Sequence, residues 1–327
     1  MLGTLRFLLA VAVMLSHLPY SHFPEGFNLA VTAVVLFYFI SGFLMYESFS
    51  RTTGGFYSRT LQFFKKRFFR IYPLYWVVLL FTFGELLLFP PSKLLPLLNQ
   101  PATLEKFLWN FPIFFNNYVF PPLTLPPLLP HPVIPPTWSL GSELLFYLSV
   151  PFLWRGIMEG GRGVWIPIFL SVGIQLGAFF IETPLFNSDN FGYRYIFGVW
   201  WIFGFGFLYS HYRRFTRGLK LLYFGYLTLL LFSLWYFSQF PFVREIWLGV
   251  AIAPVVKLLR NLPPNRWNRL LGSLSYPLFL VHFPTFYLVE GMGISNPVVY
   301  PLLSIFLTIL FSYFLASLDK IFRGRKN

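Results

Sequence analysis

Apolar runs long enough to cross a bilayer recur about ten times along these 327 residues. That recurrence constrains the fold more than any single residue does. A hydrocarbon core of about 30 Å is spanned by roughly 17–25 apolar residues in a helix. The runs fall at 4–20, 28–48, 71–89, 138–154, 163–181, 194–210, 219–237, 241–256, 270–289 and 297–318. Little charge separates them: only 11% of the chain is charged, where globular domains carry roughly 25%. Mean hydropathy is +0.63 and 22% of residues are aromatic. Two soluble domains would need a polar surface that this composition lacks. The expected fold is an all-α integral-membrane bundle of about ten transmembrane helices, with residues 1–327 as one domain. The first run is read as a span and not a cleaved leader, because it has no small-residue cleavage site and runs into His17, Pro19 and Tyr20.

The charge is lopsided, with 25 Lys and Arg against 11 Asp and Glu. In a soluble protein such an excess would point to nucleic acid. In a membrane chain, basic residues gather in cytoplasmic loops. With the N-terminus inside and the ten runs alternating, the basic residues at cytoplasmic positions are Arg6, Arg51, the group Arg59 to Arg70, Arg155, Arg162, Arg213 to Lys220, Lys257 to Arg269, and Lys320 to Lys326. That is 21 of the 25, and only Lys93, Lys106, Arg194 and Arg244 fall outside. The expected topology is multi-pass with both termini cytoplasmic, and no nucleic-acid partner. Cysteine is absent, so disulfides and thiolate metal sites are excluded.

Residues 90–136 resist a span reading. They are apolar but hold 13 prolines, among them Pro121, Pro122, Pro126, Pro127, Pro130, Pro132, Pro135 and Pro136. Proline removes a backbone donor, and irregular backbone is not tolerated against lipid. The segment is therefore expected as a long extracytoplasmic loop, lying on the membrane or folded over the bundle. Its aromatics, Trp109 through Phe120, favour a packed element.

Ionisable residues within spans are costly and mark candidate sites. Arg6 and His17 are 11 residues apart, so they share one helix face about 16 Å apart along the axis. A lone helical His is often a packing residue, and a lone Arg near the start is often a topology charge. Both on one stripe carry more weight. Glu143 lies about one turn into the fourth run, after Trp138 and Ser139. It reads either as a first-turn carboxylate favoured by the helix dipole or as the head of a polar stripe continuing to Tyr147. Arg67 and Arg70 share a helix side at i, i+3. They read as lipid-headgroup charges or as a phosphate clamp, to which the guanidinium fork is suited. His282 lies in the outer half of the ninth run, on one face with Ser275. His22, His131 and His211 read as surface residues. No His/Glu spacing resembles a metal site, and no hydrolase elbow, phosphate loop or dinucleotide glycine pattern is present. The arrangement puts a basic cluster (Arg6, Arg67, Arg70) at the cytoplasmic mouth and a His and a Glu in the outer half.

Five segments, in order, carry a resemblance: Leu5-Arg6-Phe7 through His17; Leu36-Phe37-Tyr38-Phe39-Ile40-Ser41-Gly42-Phe43-Leu44; Arg67-Phe68-Phe69-Arg70-Ile71-Tyr72-Pro73; Trp138-Ser139-Leu140 with Glu143 and Phe146-Tyr147; and Leu271-Gly272 through Ser275-Tyr276 to Leu280-Val281-His282. Together they resemble membrane acyltransferase family 3, in its stand-alone membrane form. Phe279 departs from that pattern, where Tyr is common. The resemblance implies transfer of an acyl group, commonly acetyl, from cytoplasmic acyl-coenzyme A to a hydroxyl of a sugar in a surface glycan or glycolipid, in a bacterial or archaeal cell membrane. It implies that His17 is catalytic and that Arg6, Arg67 and Arg70 bind the donor. On this reading Glu143 orients His17. Trp138, Ser139, Tyr147 and Tyr276 line a substrate path, and His282 is the second candidate base or an oxyanion donor. No metal is expected.

A transporter or flippase for glycan or lipid intermediates is the rival class. It predicts internal repeats and a midplane site, and no repeat is visible. A purely structural membrane protein leaves the Arg6–His17 stripe unexplained. The cysteine-free chain makes the topology directly testable. Lys66→Cys is expected to react with an impermeant maleimide only from the cytoplasmic side of sealed vesicles, and Lys93→Cys only from the other. Labelling of both from one side would overturn the alternation.

Overall fold

The computed structural model describes residues 1–20, 28–95, 98, 102–117, 132–160, 162–181, 183, 186–212, 217–236, 242–263, 265–322 and 324. Among them, helices are the regular elements. These are α1 (Leu2–His17), α2 (Leu29–Ser50), α3 (Phe56–Leu88), α4 (Leu104–Asn110), α5 (Trp138–Met158), α6 (Trp165–Ile181), α7 (Ile196–His211), α8 (Arg217–Tyr236), α9 (Val243–Ile252), α10 (Val255–Asn261), α11 (Arg266–Gly291) and α12 (Val299–Phe322). Several begin where a short polar side chain accepts an otherwise orphaned backbone N–H. Asn28 accepts from Ala30 at α2, and Asn265 from Asn268 at α11.

Among the described residues, three helices are long and apolar enough to cross a membrane: α2, α3 and α12. The expected count of about ten is therefore not carried by length and composition alone. Helices α1 and α6 are apolar but shorter, at 16 and 17 residues. The expected eighth span is two short helices, α9 and α10, parted at Ala253 and Pro254. Proline lacks the N–H that would continue the ladder, so the run divides there. Helix α3 starts well before its expected span and reaches 33 residues, about 50 Å at 1.5 Å per residue. Its first turns, with exposed Lys65 and Lys66, extend past the apolar part.

Helix α2 is the hub, packed against α1, α5, α7 and α9. Its approach to α7 depends on two glycines facing each other's backbone. A Cβ on Gly42 would lie 1.9 Å from the Phe203 carbonyl oxygen, and one on Gly206 2.2 Å from that of Phe39. Small residues let membrane helices close on one another, since lipid tails give apolar side chains no reason to associate. Tyr38 stacks beside Phe203 at 4.5 Å between ring centroids, and Phe39 beside Phe205 at 5.5 Å.

The second tight seam joins α1 to α11. A Cβ on Gly3 would lie 2.1 Å from the Asn268 carbonyl oxygen, and one on Gly272 2.9 Å from the Gly3 Cα. The Thr4 amide donates to the Asn268 side chain at 3.0 Å, and Ser275 Oγ donates to the Arg6 carbonyl at 3.0 Å. Helix α12 closes the bundle on the other side of α11. It buries Ser304, Thr308 and Ser312 and exposes Leu302, Phe306, Ile309, Leu310 and Phe314. That polarity is inverted relative to a soluble helix, as a lipid-facing helix requires.

The end of the proline-rich segment is packed over the bundle. Ile113, Val133, Ile134 and Thr137 are fully buried, and Pro135–Thr137 form a 3₁₀ turn leading into α5. The denser proline run at 121–130 lies outside the described residues. Gly42→Ala is expected to lower the melting temperature in detergent sharply, because its methyl meets backbone. Gly84→Ala, inside α3 with open space around it, is expected to be neutral or to stabilise by about 0.5–1 kcal/mol. Equal melting temperatures for both variants would show that the α2–α7 seam is not close-packed.

Candidate active site

Five helices place the candidate residues around two chambers that meet end to end. The first, the arginine chamber, takes Arg6 from α1, Ser41 from α2, Arg67 and Arg70 from α3, Glu143 and Tyr147 from α5, and Ser275 and Tyr276 from α11. The second, the histidine chamber, has a volume of about 440 Å³. It is lined by His17, Trp138, Pro135 and Pro136, Tyr193, the Asp189–Arg194 pair and Phe283, among others.

In the arginine chamber the helix phase of α3 separates two kinds of basic residue. Lys65 and Lys66 are exposed, whereas Arg67 and Arg70 are half-buried and line the chamber. Arg67 donates one terminal nitrogen to Ser48 Oγ at 2.9 Å, while its Nε is buried with no hydrogen-bond partner. The charges of Arg70 and of Glu143 both act on Arg6 and on Arg67. Glu143 accepts hydrogen bonds from Ser41 Oγ and Tyr147 Oη at one carboxylate oxygen. Three guanidiniums against one carboxylate leave this half-buried space formally positive. Tyr276 is tied to the Ile71 carbonyl at 2.8 Å, fixing the wall between α3 and α11.

In the histidine chamber, His17 is the last residue of α1. Its ring stacks on His282, with centroids 5.5 Å apart and planes 19° apart, and lies 5.0 Å from Phe283. His282 is fully buried. Its Nδ1 faces the Leu278 carbonyl at 3.3 Å, and its Nε2 faces His17 Nδ1 at 3.4 Å. A carbonyl only accepts, so His282 Nδ1 carries a hydrogen and, in the neutral ring, Nε2 is the acceptor. His17 Nδ1 then donates to it, and His17 Nε2 keeps its lone pair. This order is consistent with a neutral pair in which His17 Nε2 keeps its lone pair.

The structure does not bring Glu143 to His17. The expectation placed both at one depth by counting turns from the membrane surface. However, α5 follows a segment that is itself fully buried, so its first residue already lies inside the protein. Glu143, one turn further on, falls in the arginine chamber, and His282 takes the place beside His17. Trp138 faces the histidine chamber, Tyr147 and Tyr276 the arginine chamber, and Ser139 both. His22 and His131 lie outside the described residues. His211 is bonded through Nδ1 to Tyr46 Oη at 2.8 Å and lines neither chamber. Among the described residues, no three His, Asp or Glu side chains gather as a metal site would need.

Sequence reasoning missed the Asp189–Arg194 pair. It sits on a π-helical turn, Asn190–Arg194, with 2.9 Å between Arg194 Nε and Asp189 Oδ1. The guanidinium lies over Trp138 at 5.1 Å and over Tyr193 at 4.8 Å. One signal was legible: an Arg read as extracytoplasmic, beside two tyrosines. The π-turn that aims it is not written in any local pattern. Asn117 fastens this turn to α5. Its amide nitrogen donates to Ser142 Oγ at 2.5 Å and to the Arg194 carbonyl at 2.9 Å, and its oxygen accepts from the Ile196 amide at 3.2 Å.

Among the described residues, helices set a basic chamber beside a chamber lined by His17, whose ring stacks on the buried His282, and comparison with known proteins supplies the class. A family model described as an acyltransferase domain matches residues 2–317. The chain belongs to membrane acyltransferase family 3 and is an acyltransferase. It is similar to an uncharacterized protein of Aquifex aeolicus strain VF5, 29% identical over 211 residues, which cover 59% of this chain and 90% of that one. No solved structure matches.

Asn117→Leu is expected to destabilise the fold by about 1–3 kcal/mol, the cost of leaving buried partners unsatisfied. The check is a detergent melt. An unchanged melting temperature would show that Asn117 does not hold the π-turn.

Proposed function

We propose that this acyltransferase moves an acyl group, acetyl in the simplest case, from acyl-coenzyme A to a hydroxyl of a sugar in a cell-surface glycan or glycolipid. It acts in a bacterial or archaeal cell membrane, with the arginine chamber toward the cytoplasm and both termini on that side. One observation carries the reading. An anion-attracting chamber and a chamber lined by His17, stacked on His282, adjoin, and Arg6 and His17 on one helix set their spacing at about 16 Å. Coenzyme A is a polyanion with a long flexible arm ending in the thioester. Its phosphates suit Arg6, Arg67 and Arg70, and the unpartnered Arg67 Nε is a donor awaiting an acceptor. The acceptor hydroxyl would lie in the wider histidine chamber, against Trp138 and the aromatic side chains beside it.

The chemistry follows from the tautomer. His17 Nε2 takes the proton of the acceptor hydroxyl as that oxygen attacks the thioester carbonyl. The tetrahedral intermediate collapses with cleavage of the carbon–sulfur bond. The departing thiolate takes the proton back from His17, leaving an ester and free coenzyme A. His282 is a positioning residue: it holds the His17 Nδ1–H and so keeps Nε2 basic. Glu143 serves the other chamber, where it offsets part of the arginine charge and orients Ser41 and Tyr147.

General-base catalysis contributes about 10²–10⁴-fold. His17→Gln is therefore expected to lower kcat by that order with donor affinity nearly intact. Arg67→Ala is expected to raise the donor KM with a smaller effect on kcat. Coenzyme A release from labelled acetyl-coenzyme A, measured with a panel of glycan acceptors, checks both. Wild-type kcat in His17→Gln would refute the base assignment. Movement of glycan without coenzyme A release would favour a transporter.

A further inference from the structure

The two chambers share three lining residues, one from each of three helices: Val34 of α2, Ser139 of α5 and Phe279 of α11. Each marks the same level. On α11, Ser275 and Tyr276 lie on the arginine side of Phe279, and Phe283 on the histidine side. On α2, Ala30 and Val31 face the histidine chamber, and Phe37 and Ser41 the arginine chamber. On α5, Trp138 faces the histidine chamber, and Leu140 and Glu143 the arginine chamber. All three shared residues are packed, at 5%, 8% and 7% exposed for Val34, Ser139 and Phe279. The Phe279 ring is held from both sides, 6.4 Å from Phe37 and 6.2 Å from His282 between centroids. Space in the arginine chamber is about 70 Å³, against about 440 Å³ beyond this level. The narrower arginine chamber thus lies before this level and the wider histidine chamber beyond it. An acyl group presented to His17 has to pass between Val34, Ser139 and Phe279.

We propose that this level is an acyl-size filter, and that Phe279 is its specificity-determining side chain. The proposal rests on the donor path given above. A straight acyl chain has the cross-section of the arm that carries it and passes. An acyl group branched at its α-carbon, or an aromatic one, is wider and is excluded. The filter thus selects linear acyl groups by shape, whatever the acceptor.

A cysteine at position 17 reads the filter without knowledge of the acceptor. The thiolate of His17→Cys attacks the thioester carbonyl of a donor that reaches it. A protein thioester forms, the donor carbon–sulfur bond breaks, and coenzyme A leaves as the thiol with the cysteine proton. The chain has no other cysteine, so the part of the intact-mass shift removed by neutral hydroxylamine reports the thioester at that position. Purified full-length His17→Cys is treated with acetyl-, isobutyryl- or benzoyl-coenzyme A. Acetyl transfer is expected to outpace the other two. Adding Phe279→Ala, or the milder Phe279→Leu or Val34→Ala, is expected to raise the isobutyryl-to-acetyl and benzoyl-to-acetyl rate ratios by about tenfold or more, the scale at which a pocket discriminates by size. Unchanged ratios in all three double variants, with acetyl transfer retained, would overturn the filter and leave the donor path standing. No acylation of His17→Cys by any donor would overturn the donor path itself.

Discussion

The close contact of α1 with α11 is the constraint on which the site depends. Gly3 and Gly272 remove two side chains from the seam, and Asn268 and Ser275 then bond directly to the α1 backbone. With the first turn of α1 fixed on α11, the helical rise carries its last residue to the level of His282, where the two rings stack. The same registration points Arg6 toward the chamber holding Arg67 and Arg70. One backbone seam therefore sets both the donor-side charge and the histidine pair, and it sets the distance between them.

Partial burial of charge separates residues that composition alone would all assign to topology. Four basic residues sit within six positions of α3. Helix phase sends Lys65 and Lys66 to the surface and turns Arg67 and Arg70 inward. Arginine is the better residue to turn inward, because its delocalised charge is weakly hydrated and its fork can serve a wall and a ligand together. Arg67 does the first through Ser48, and its Nε is buried without a hydrogen-bond partner. At the other end, the Arg194 guanidinium lining the histidine chamber pairs with Asp189 and lies over aromatic rings. The proline-rich segment contributes to that cavity as structure. Its last turn is buried, and it sets the depth at which α5 begins.

Much was legible in the sequence because membrane physics leaves few options. The apolar runs locate helices, and the rarity of charge within them makes Arg6, His17, Arg67, Arg70, Glu143 and His282 conspicuous. What the sequence left ambiguous was depth and pairing. Glu143 was expected beside His17 because a turn count assumes that a helix begins at the membrane surface, and α5 does not. His282 was read as the second candidate base or as an oxyanion donor and not as a partner of His17, although its ring stacks on His17. The run at 241–256 was expected as one span, although Pro254 already marked the break between α9 and α10. Arg194 was read only as an extracytoplasmic charge, since no local pattern announces the π-turn that directs it inward.

Composition and order along the chain determined by themselves that this is a helical membrane protein. They also placed the candidate site residues on α1, α3, α5 and α11, in the pattern of membrane acyltransferase family 3. Those properties follow from the cost of burying charge in lipid and from the fixed periodicity of a helix. Only the tertiary structure decided which residues meet. The pairing of His17 with His282, the removal of Glu143 to the arginine chamber, and the single packed level of Val34, Ser139 and Phe279 all depend on where separate helices cross. Crossing points are set by contacts such as Gly3 on Gly272 and Gly42 on the Phe203 carbonyl, between residues far apart in the chain, and no local pattern encodes them.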